Sequence, residues 1–147
     1  MGKAEILRNG ADVLFLAVGS MVYPSYEAAL ALERQGVQAA VVNVRFVKPL
    51  DEEMILRLAQ GKKLIVTAEE GCRLGGFGES ILDLLESKHS PHAPVHIAAI
   101  PDRFVEHGKR EVLLDSIGLS AAKMQVLVLE YLKNYRSMET GSLISIR

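Results

Sequence analysis

Residues 64–81 decide the fold, and they read Leu-Ile-Val-Thr-Ala-Glu-Glu-Gly-Cys-Arg-Leu-Gly-Gly-Phe-Gly-Glu-Ser-Ile. The stretch opens with an apolar, β-branched run, continues with two adjacent carboxylates, Glu69 and Glu70, and enters a glycine-rich segment before a helical pattern begins. α/β proteins build a site at the carboxyl edge of a sheet from a buried strand, a turn and a helix in this order. The stretch therefore predicts an α/β fold, and its glycine segment is the first candidate for a functional site.

Four segments of the chain are short, apolar and rich in β-branched residues, as buried strands are. They are Val13–Val18, Ala39–Val44, Lys63–Ala68 and Val95–Ile100. Their apolar character is nearly continuous rather than alternating, which indicates strands with both faces covered and is typical of a parallel sheet. The opening Ala4–Leu7, which is cut off by Asn9-Gly10, is interpreted as an edge strand or a hairpin arm.

Helical patterns separate the predicted strands. They cover Tyr23–Arg34, a segment capped by Asp51 and closed by Gly61, about Gly78–Ser87, Arg110–Ile117, and a final helix capped by Ser120. Strands and helices that alternate at this spacing predict right-handed βαβ crossovers. The expected fold is a three-layer α/β sandwich, with a mostly parallel sheet flanked by helices and an antiparallel edge strand as a further option. We expect one domain over residues 1–134 and a disordered or cloning-derived tail over residues 135–147, where no periodicity is visible.

Composition excludes several classes of function. Lys and Arg number 17 against 18 Asp and Glu, so the chain lacks the basic excess that nucleic-acid binding needs. Cys72 is the single cysteine, which rules out an intrachain disulfide and fits a reducing cytosol. No apolar run approaches the ~20 residues of a membrane span, and the first residues do not form a signal pattern. We therefore expect a cytoplasmic protein without nucleic-acid or membrane partners.

The glycine segment Gly71–Gly78 has two interpretations. Its backbone N–H groups and the start of the following helix could cradle a phosphate, which would make the chain an independent small-ligand or nucleotide-binding α/β module. The spacing matches no phosphate motif, because Ile81 stands where a third dinucleotide glycine would be, and the two preceding carboxylates would repel an anion. We favour a structural or interface role, in which Gly75, Gly76 and Gly78 supply positive φ angles or close contact between helix and sheet.

Glu69 and Glu70 are a candidate acid/base pair, because enzymes tune carboxylates at strand ends. Adjacent residues of an extended chain point to opposite faces, however, so at most one of them would face any given pocket. The alternative is an ion pair with Arg73 or hydrogen bonds to amides of the loop, and we favour this alternative.

Two further side chains could act as nucleophiles. Cys72 lies beside Arg73, which would favour a reactive thiol and hence a redox sensor, but no second cysteine or neighbouring histidine accompanies it. Ser20 follows Gly19 without the Gly-x-Ser-x-Gly pattern of a nucleophile elbow, and it is interpreted as a helix cap.

The histidines form two groups. One group is His89, His92 and His96. Prolines between them force extended backbone and no carboxylate or cysteine cluster lies nearby, so a solvated loop is favoured over a zinc site. The other is His107, which shares a dense polar segment with Asp102 and Arg103 just past a predicted strand, where ligands and partners dock. We expect Asp102, Arg103 and His107 at an interface or at the edge of a site.

Three segments together resemble a known family. They are Val18-Gly19-Ser20-Met21-Val22 leading into Glu27-Ala28-Ala29, then Val44-Arg45-Phe46-Val47-Lys48-Pro49-Leu50-Asp51, then Glu69-Glu70-Gly71 with Gly75-Gly76-Phe77-Gly78. In this order and spacing they are similar to the carboxy-terminal domain of the transketolase-like thiamine-diphosphate enzymes, over about residues 2–134. Two shorter motifs are Pro101-Asp102-Arg103-Phe104 and Gly118-Leu119-Ser120. They are similar to those members of the family that condense pyruvate with glyceraldehyde 3-phosphate.

The resemblance implies that the chain is one part of a larger enzyme. Family members hold thiamine diphosphate, Mg²⁺ and substrates in two amino-terminal domains, and a third domain supports the homodimer. The reaction implied here loses CO₂ and supplies precursors of isoprenoids, thiamine and pyridoxal. None of the family's principal catalytic residues and no Gly-Asp-Gly cofactor motif falls in this sequence. We therefore expect an inactive support and dimerisation domain without its own cofactor or metal site, whose partners are the other domains and the second subunit.

Overall fold

The computed structural model describes the backbone of residues 1–144 and the side chains of residues 1–138. Its strands are β1 (Glu5–Arg8), β2 (Val13–Ala17), β3 (Ala39–Asn43), β4 (Leu64–Cys72) and β5 (Val95–Ile100). They form a five-stranded sheet, among the described residues, in the order β1-β3-β2-β4-β5. β1 is antiparallel to β3, whereas the other three pairs are parallel. The predicted α/β class with a mostly parallel sheet is confirmed.

Helices cover both faces of the sheet. They are α1 (Val22–Glu33), α2 (Glu52–Ala59), α3 (Phe77–Ser87), α4 (Arg110–Ser116) and α5 (Ala121–Ile144), and a 3-10 turn at Gly19–Met21 precedes α1. α1, α4 and α5 pack on one face, and α2 and α3 pack on the other. Phe15 of β2 belongs to the first core and its neighbours Leu14 and Leu16 belong to the second. Successive strand side chains point to opposite faces, so a continuous apolar run supplies both cores.

The amino-terminal segment is an edge strand and not a hairpin arm. β1 pairs with β3, which is distant in sequence, rather than with β2, which follows it. Gly10 allows the chain to pass close to β3, because a Cβ at this position would lie 2.3 Å from the backbone carbon of Ala39. Of the two interpretations, the antiparallel edge strand is confirmed.

Asp51 holds this edge strand to the body of the domain. It occupies the position before α2, as predicted, but its carboxylate makes no capping hydrogen bond there. It accepts a hydrogen bond from the backbone N–H of Ala4 at 3.1 Å and contacts Nζ of Lys3 at 3.3 Å. Asp51 is therefore the N-cap residue that the sequence predicts, and its carboxylate also binds the edge strand.

β4 is longer than the sequence predicts. It continues to Cys72 instead of ending at Ala68, so Glu69 and Glu70 lie within the strand. Between the pair Ala68–Ala98 and the pair Cys72–Ile100, β4 advances by four residues and β5 by only two. Extra residues of this kind form a bulge, which bends the strand and redirects its side chains.

The last helix also extends past its predicted end. α5 runs to Ile144 and so covers residues 135–144, for which a disordered or cloning-derived tail is the expectation, and residues 145–147 lie outside the described part of the chain. Contacts one turn apart continue the helix, since the rings of Tyr131 and Tyr135 stack at 6.4 Å and Ser137 Oγ donates to the Lys133 carbonyl. The domain boundary at residue 134 stays a prediction.

One described segment, Arg110–Met138, is apolar and long enough to cross a membrane by length and composition alone. The expectation that no such run exists therefore needs correction. The segment is divided in the structure, because Gly118 turns the chain between α4 and α5 with φ +85°. Met124 and Val128 of α5 are buried in the core beside α1. A docked core helix passes the same test, so the segment is weak evidence for a membrane span.

Candidate functional site

The loops after β2, β3, β4 and β5 meet at the carboxyl edge of the sheet. β2 and β4 are neighbours, although the chain forms β3 on the other side of β2 before it returns to β4. The direction of winding therefore changes between β2 and β4, and open α/β sheets bind ligands at such a crevice. In this chain the crevice holds the protein's own side chains.

Glu70 bridges the loops at this crevice. Ser20 Oγ donates to Glu70 Oε2 at 2.5 Å, and Arg110 Nε donates to Glu70 Oε1 at 2.9 Å while its Nη2 contacts Oε2. The hydrogen bonds from Arg110 and then from Ser20 hold the pKa of the Glu70 carboxyl below its usual range. The same carboxylate raises the pKa of Arg110.

Two sequence interpretations are corrected here. The ion pair of Glu70 is with Arg110, forty residues away, and not with Arg73. Ser20 does not cap α1, since the residue that precedes this helix is Met21 and no side chain caps it. No periodic pattern in the sequence links Glu70 to Arg110, because the contact depends on where α4 docks.

Glu69 points to the opposite side of β4 and is buried, with 6% of its surface exposed. Its Oε2 accepts a hydrogen bond from the Phe77 N–H at 2.9 Å, and its Oε1 accepts one from the Gly78 N–H at 2.8 Å. These amides belong to the first turn of α3, whose donors have no partner within the helix. The favoured interpretation of Glu69, as a carboxylate bonded to backbone amides, is confirmed.

The glycine segment is shaped by close packing. A Cβ at Gly76 would lie 2.2 Å from the Cys72 carbonyl oxygen, and one at Gly78 would lie 2.6 Å from a methyl carbon of Ile97. Gly75 has φ +70°, a conformation that L side chains rarely adopt. The two amides that could face a phosphate already donate to a carboxylate. This geometry favours the structural interpretation over the phosphate cradle.

A surface next to this segment brings together the other predicted residues. A groove of about 410 Å³ lies between Cys72–Leu74, after β4, and Ile100–Phe104, after β5. A second groove of about 460 Å³ continues from Arg103 and Phe104 towards His107 and Val112. We call the set formed by the following residues the carboxyl-edge surface: Leu74, Asp102, Arg103, Phe104, His107 and Val112.

The carboxyl-edge surface exposes three large apolar side chains. Phe104 is completely exposed, Leu74 is 61% exposed and Val112 is 63% exposed. Sequence reasoning missed all three as site residues, although a phenylalanine in an otherwise polar segment was a usable signal. The eight predicted residues thus separate into four groups. Glu69 and Gly78 are buried, Gly75 and Gly76 shape the turn before α3, Glu70 bridges loops, and Asp102, Arg103 and His107 lie on the surface.

The remaining candidates do not converge on a site. Among the side chains that the structure describes, no three His, Cys, Asp or Glu residues group as metal ligands. His92 contacts the Ala93 carbonyl and the Glu86 carboxylate. Burial, and then the charge of Arg73, lower the pKa of His96 in β5. Cys72 is exposed, and the disfavoured redox-sensor alternative for it stays untested.

The fold and the motifs at this edge define a class of domain. The family described as "Transketolase, C-terminal domain" matches residues 2–124, and the chain belongs to this family. Within it, the chain is similar to 1-deoxy-D-xylulose-5-phosphate synthases. It is 48% identical to that of Synechococcus sp. (strain JA-2-3B'a(2-13)) over 122 residues, which are 83% of this chain and 19% of the relative. It is 48% identical to that of Pelotomaculum thermopropionicum over 130 residues, 88% of this chain and 20% of the relative. The chain thus spans about a fifth of the length of these relatives.

Solved structures support the same fold. "Split gene transketolase, inactive beta4 tetramer" superimposes with a TM-score of 0.81 at 33% identity, over 90% of this chain and 43% of that chain. A transketolase complex from Pichia stipitis superimposes with a TM-score of 0.65 at 21% identity, over 92% of this chain and 19% of that one, and it shows the fold alone. The predicted family and the similarity to one kind of synthase within it are both confirmed.

Proposed function

We propose that this domain is the assembly domain of a longer 1-deoxy-D-xylulose-5-phosphate synthase, a cytoplasmic homodimer. The parent enzyme condenses pyruvate with glyceraldehyde 3-phosphate, with loss of CO₂, for isoprenoid and thiamine precursors. The domain's role is to contact the other domains and the second subunit. Identities of 48% to such synthases, over about a fifth of their length, support this proposal.

The residues at the carboxyl edge do not fit a diphosphate cofactor. The first amides of α3 donate to Glu69, and the Arg110 guanidinium is bound to Glu70. Both of these donor groups therefore carry a carboxylate, which repels a diphosphate. We assign thiamine diphosphate and Mg²⁺ to the other domains of the parent enzyme and derive no catalytic step in this one.

Phe104 is the observation that supports assembly most directly. Its side chain is wholly exposed, and its burial would contribute roughly 1.5–3 kcal/mol. Aromatic side chains that insert into a partner concentrate binding energy at interfaces. The charged Asp102 and Arg103 beside it suit the polar rim that surrounds such an anchor. An apolar anchor with a polar rim matches a docking surface better than a ligand pocket.

Sedimentation equilibrium of the chain tests this role. We expect concentration-dependent self-association, and we expect Phe104→Ser to lower the association constant at least about tenfold, as the loss of an interface anchor does. Leu7→Thr is the matched control, because Leu7 is exposed on β1, at the opposite edge of the sheet. Equal association of the wild type and Phe104→Ser would contradict the assignment of this surface as a subunit contact.

The small-ligand alternative can be tested separately. A nucleotide-binding module would gain thermal stability in the presence of phosphate-bearing ligands, by ordinary linkage. We expect no shift of the melting temperature with nucleoside di- and triphosphates, since Glu69 occupies the amides at the start of α3.

A further inference from the structure

β5 leaves one side of the sheet open. It is the last strand in the sheet order, so none of the described strands pairs with its outer side. The carbonyls of Pro94 and Ile100 accept hydrogen bonds from β4 and from Arg73 N–H, respectively. Residues alternate in direction along a parallel strand, so the N–H and C=O groups of Val95, Ile97 and Ala99 face the open side. Open edges of this kind are templates for pairing with another chain.

Arg73 covers the central carbonyl of this open edge. Its Nη1 donates to the carbonyl oxygen of Ile97 at 2.9 Å, while its backbone N–H donates to the Ile100 carbonyl at 2.9 Å. The side chain therefore runs back from the end of β5 to the middle of the strand. It also lines a groove of about 440 Å³ between β5 and α5.

The open edge is complementary to a second copy of itself. Antiparallel partners exchange both of their hydrogen bonds residue by residue. Two β5 strands centred on Ile97 would match Ile97 with Ile97 and Val95 with Ala99. Pro94 and Pro101 flank the strand, and proline offers no N–H to extend the ladder. In this register the Ile97 carbonyls of the two copies would be the acceptors nearest the two-fold axis. The Arg73 guanidinium groups that occupy these carbonyls would then lie close together, and their like charges would repel.

We propose that Arg73 prevents the open edge of β5 from pairing in the antiparallel direction with β5 of a second copy of this chain. The guanidinium occupies the acceptor that the pairing needs most, and it places a charge at the centre of an apolar edge. Charged side chains on edge strands are one of the means by which proteins avoid such pairing. Arg73 also lines the groove beside Phe104, but the role proposed here concerns the backbone of β5, so the test has to separate it from association through the carboxyl-edge surface.

Arg73→Met tests whether Arg73 prevents this pairing, because methionine keeps the apolar stem and removes the guanidinium. The comparison is made in the Phe104→Ser background, so that association through the carboxyl-edge surface does not contribute. The control is Arg57→Met in the same background, since Arg57 is exposed on α2 and its loss changes the charge equally. We expect Arg73→Met to raise the self-association constant at least about tenfold over the control, with an infrared signal of intermolecular antiparallel sheet.

A second substitution identifies the surface that associates. Ala99→Pro removes an outward N–H without breaking a bond to β4, so Arg73→Met with Ala99→Pro is expected to return to the monomeric state of the control. If far-UV circular dichroism shows that Ala99→Pro does not fold, Val95→Pro at the first position of the strand takes its place. Sedimentation of Arg73→Met identical to that of Arg57→Met would overturn the proposal, as would association that persists in the folded proline variant.

Discussion

Glu69 and Glu70 are adjacent in the sequence, and their carboxylates lie on opposite sides of β4, as neighbours in an extended strand do. Glu69 is buried against the first turn of α3, and Glu70 ties the loop after β2 to the start of α4. Both carboxylates accept hydrogen bonds from donors of this chain. These contacts favour a structural role for the pair over the acid/base interpretation.

Replacement of Glu69 tests whether its buried carboxylate stabilises the start of α3. Glu69→Ala leaves the amides of Phe77 and Gly78 without acceptors, and a buried unpaired donor costs ~1–3 kcal/mol. We expect a loss of about 2–3 kcal/mol in the free energy of unfolding, measured by urea denaturation. Glu130→Ala, on the exposed side of α5, should change it by less than about 0.5 kcal/mol. Similar losses for both variants would refute the role assigned to Glu69.

At the scale of elements, β1 is held by a long-range contact from Asp51. The hydrogen bond from the Ala4 N–H, and then the contact with Lys3, hold the pKa of the Asp51 carboxyl below its usual range, although its burial opposes this shift. A carboxyl with a lowered native pKa contributes stability that is present above its unfolded pKa. This contribution is lost as the pH falls through the native pKa.

Asp51→Asn should therefore change how stability depends on pH. We expect the variant to melt at a lower temperature than the wild type at pH 7, with the difference shrinking below about pH 4, where aspartate in an unfolded chain becomes protonated. Melting temperatures of the wild type and the variant, recorded from pH 7 to pH 2, measure this difference. Asp83→Asn, exposed on α3, is the control and should keep the wild-type dependence. A gap that stays constant at all pH values would contradict the role of Asp51.

At the scale of the whole molecule, the chain belongs to an enzyme family, but the first amides of α3 and the Arg110 guanidinium at its sheet edge already donate to carboxylates. Isothermal titration with thiamine diphosphate and Mg²⁺ is expected to show no saturable heat, because Glu69 and Glu70 already occupy the amides and the guanidinium there. A complete 1-deoxy-D-xylulose-5-phosphate synthase is the positive control. Micromolar binding by this chain would overturn its assignment as an assembly domain without a cofactor.

Sequence reasoning located the elements well and their partners poorly. The strand Val95–Ile100 matches β5 residue for residue, and α1 and α3 begin within one residue of their predicted starts. The end of β4 was missed, because a bulge leaves no mark in the apolar pattern that predicts a strand. The continuation of α5 to Ile144 was missed as well, because the apolar spacing that predicts this helix ends at Leu132.

The amino-acid sequence is sufficient to predict the α/β class, the positions of most strands and helices, and the family. These follow from β-branched runs, helical periodicity and ordered motifs, all of which are local along the chain. The long-range partners are set by the folded chain: Glu70 with Arg110, Asp51 with Ala4, and Arg73 with Ile97. They could not be predicted, because these contacts depend on strand order, on the bulge and on helix docking. They join residues between 24 and 47 positions apart, a separation that carries no periodic signal.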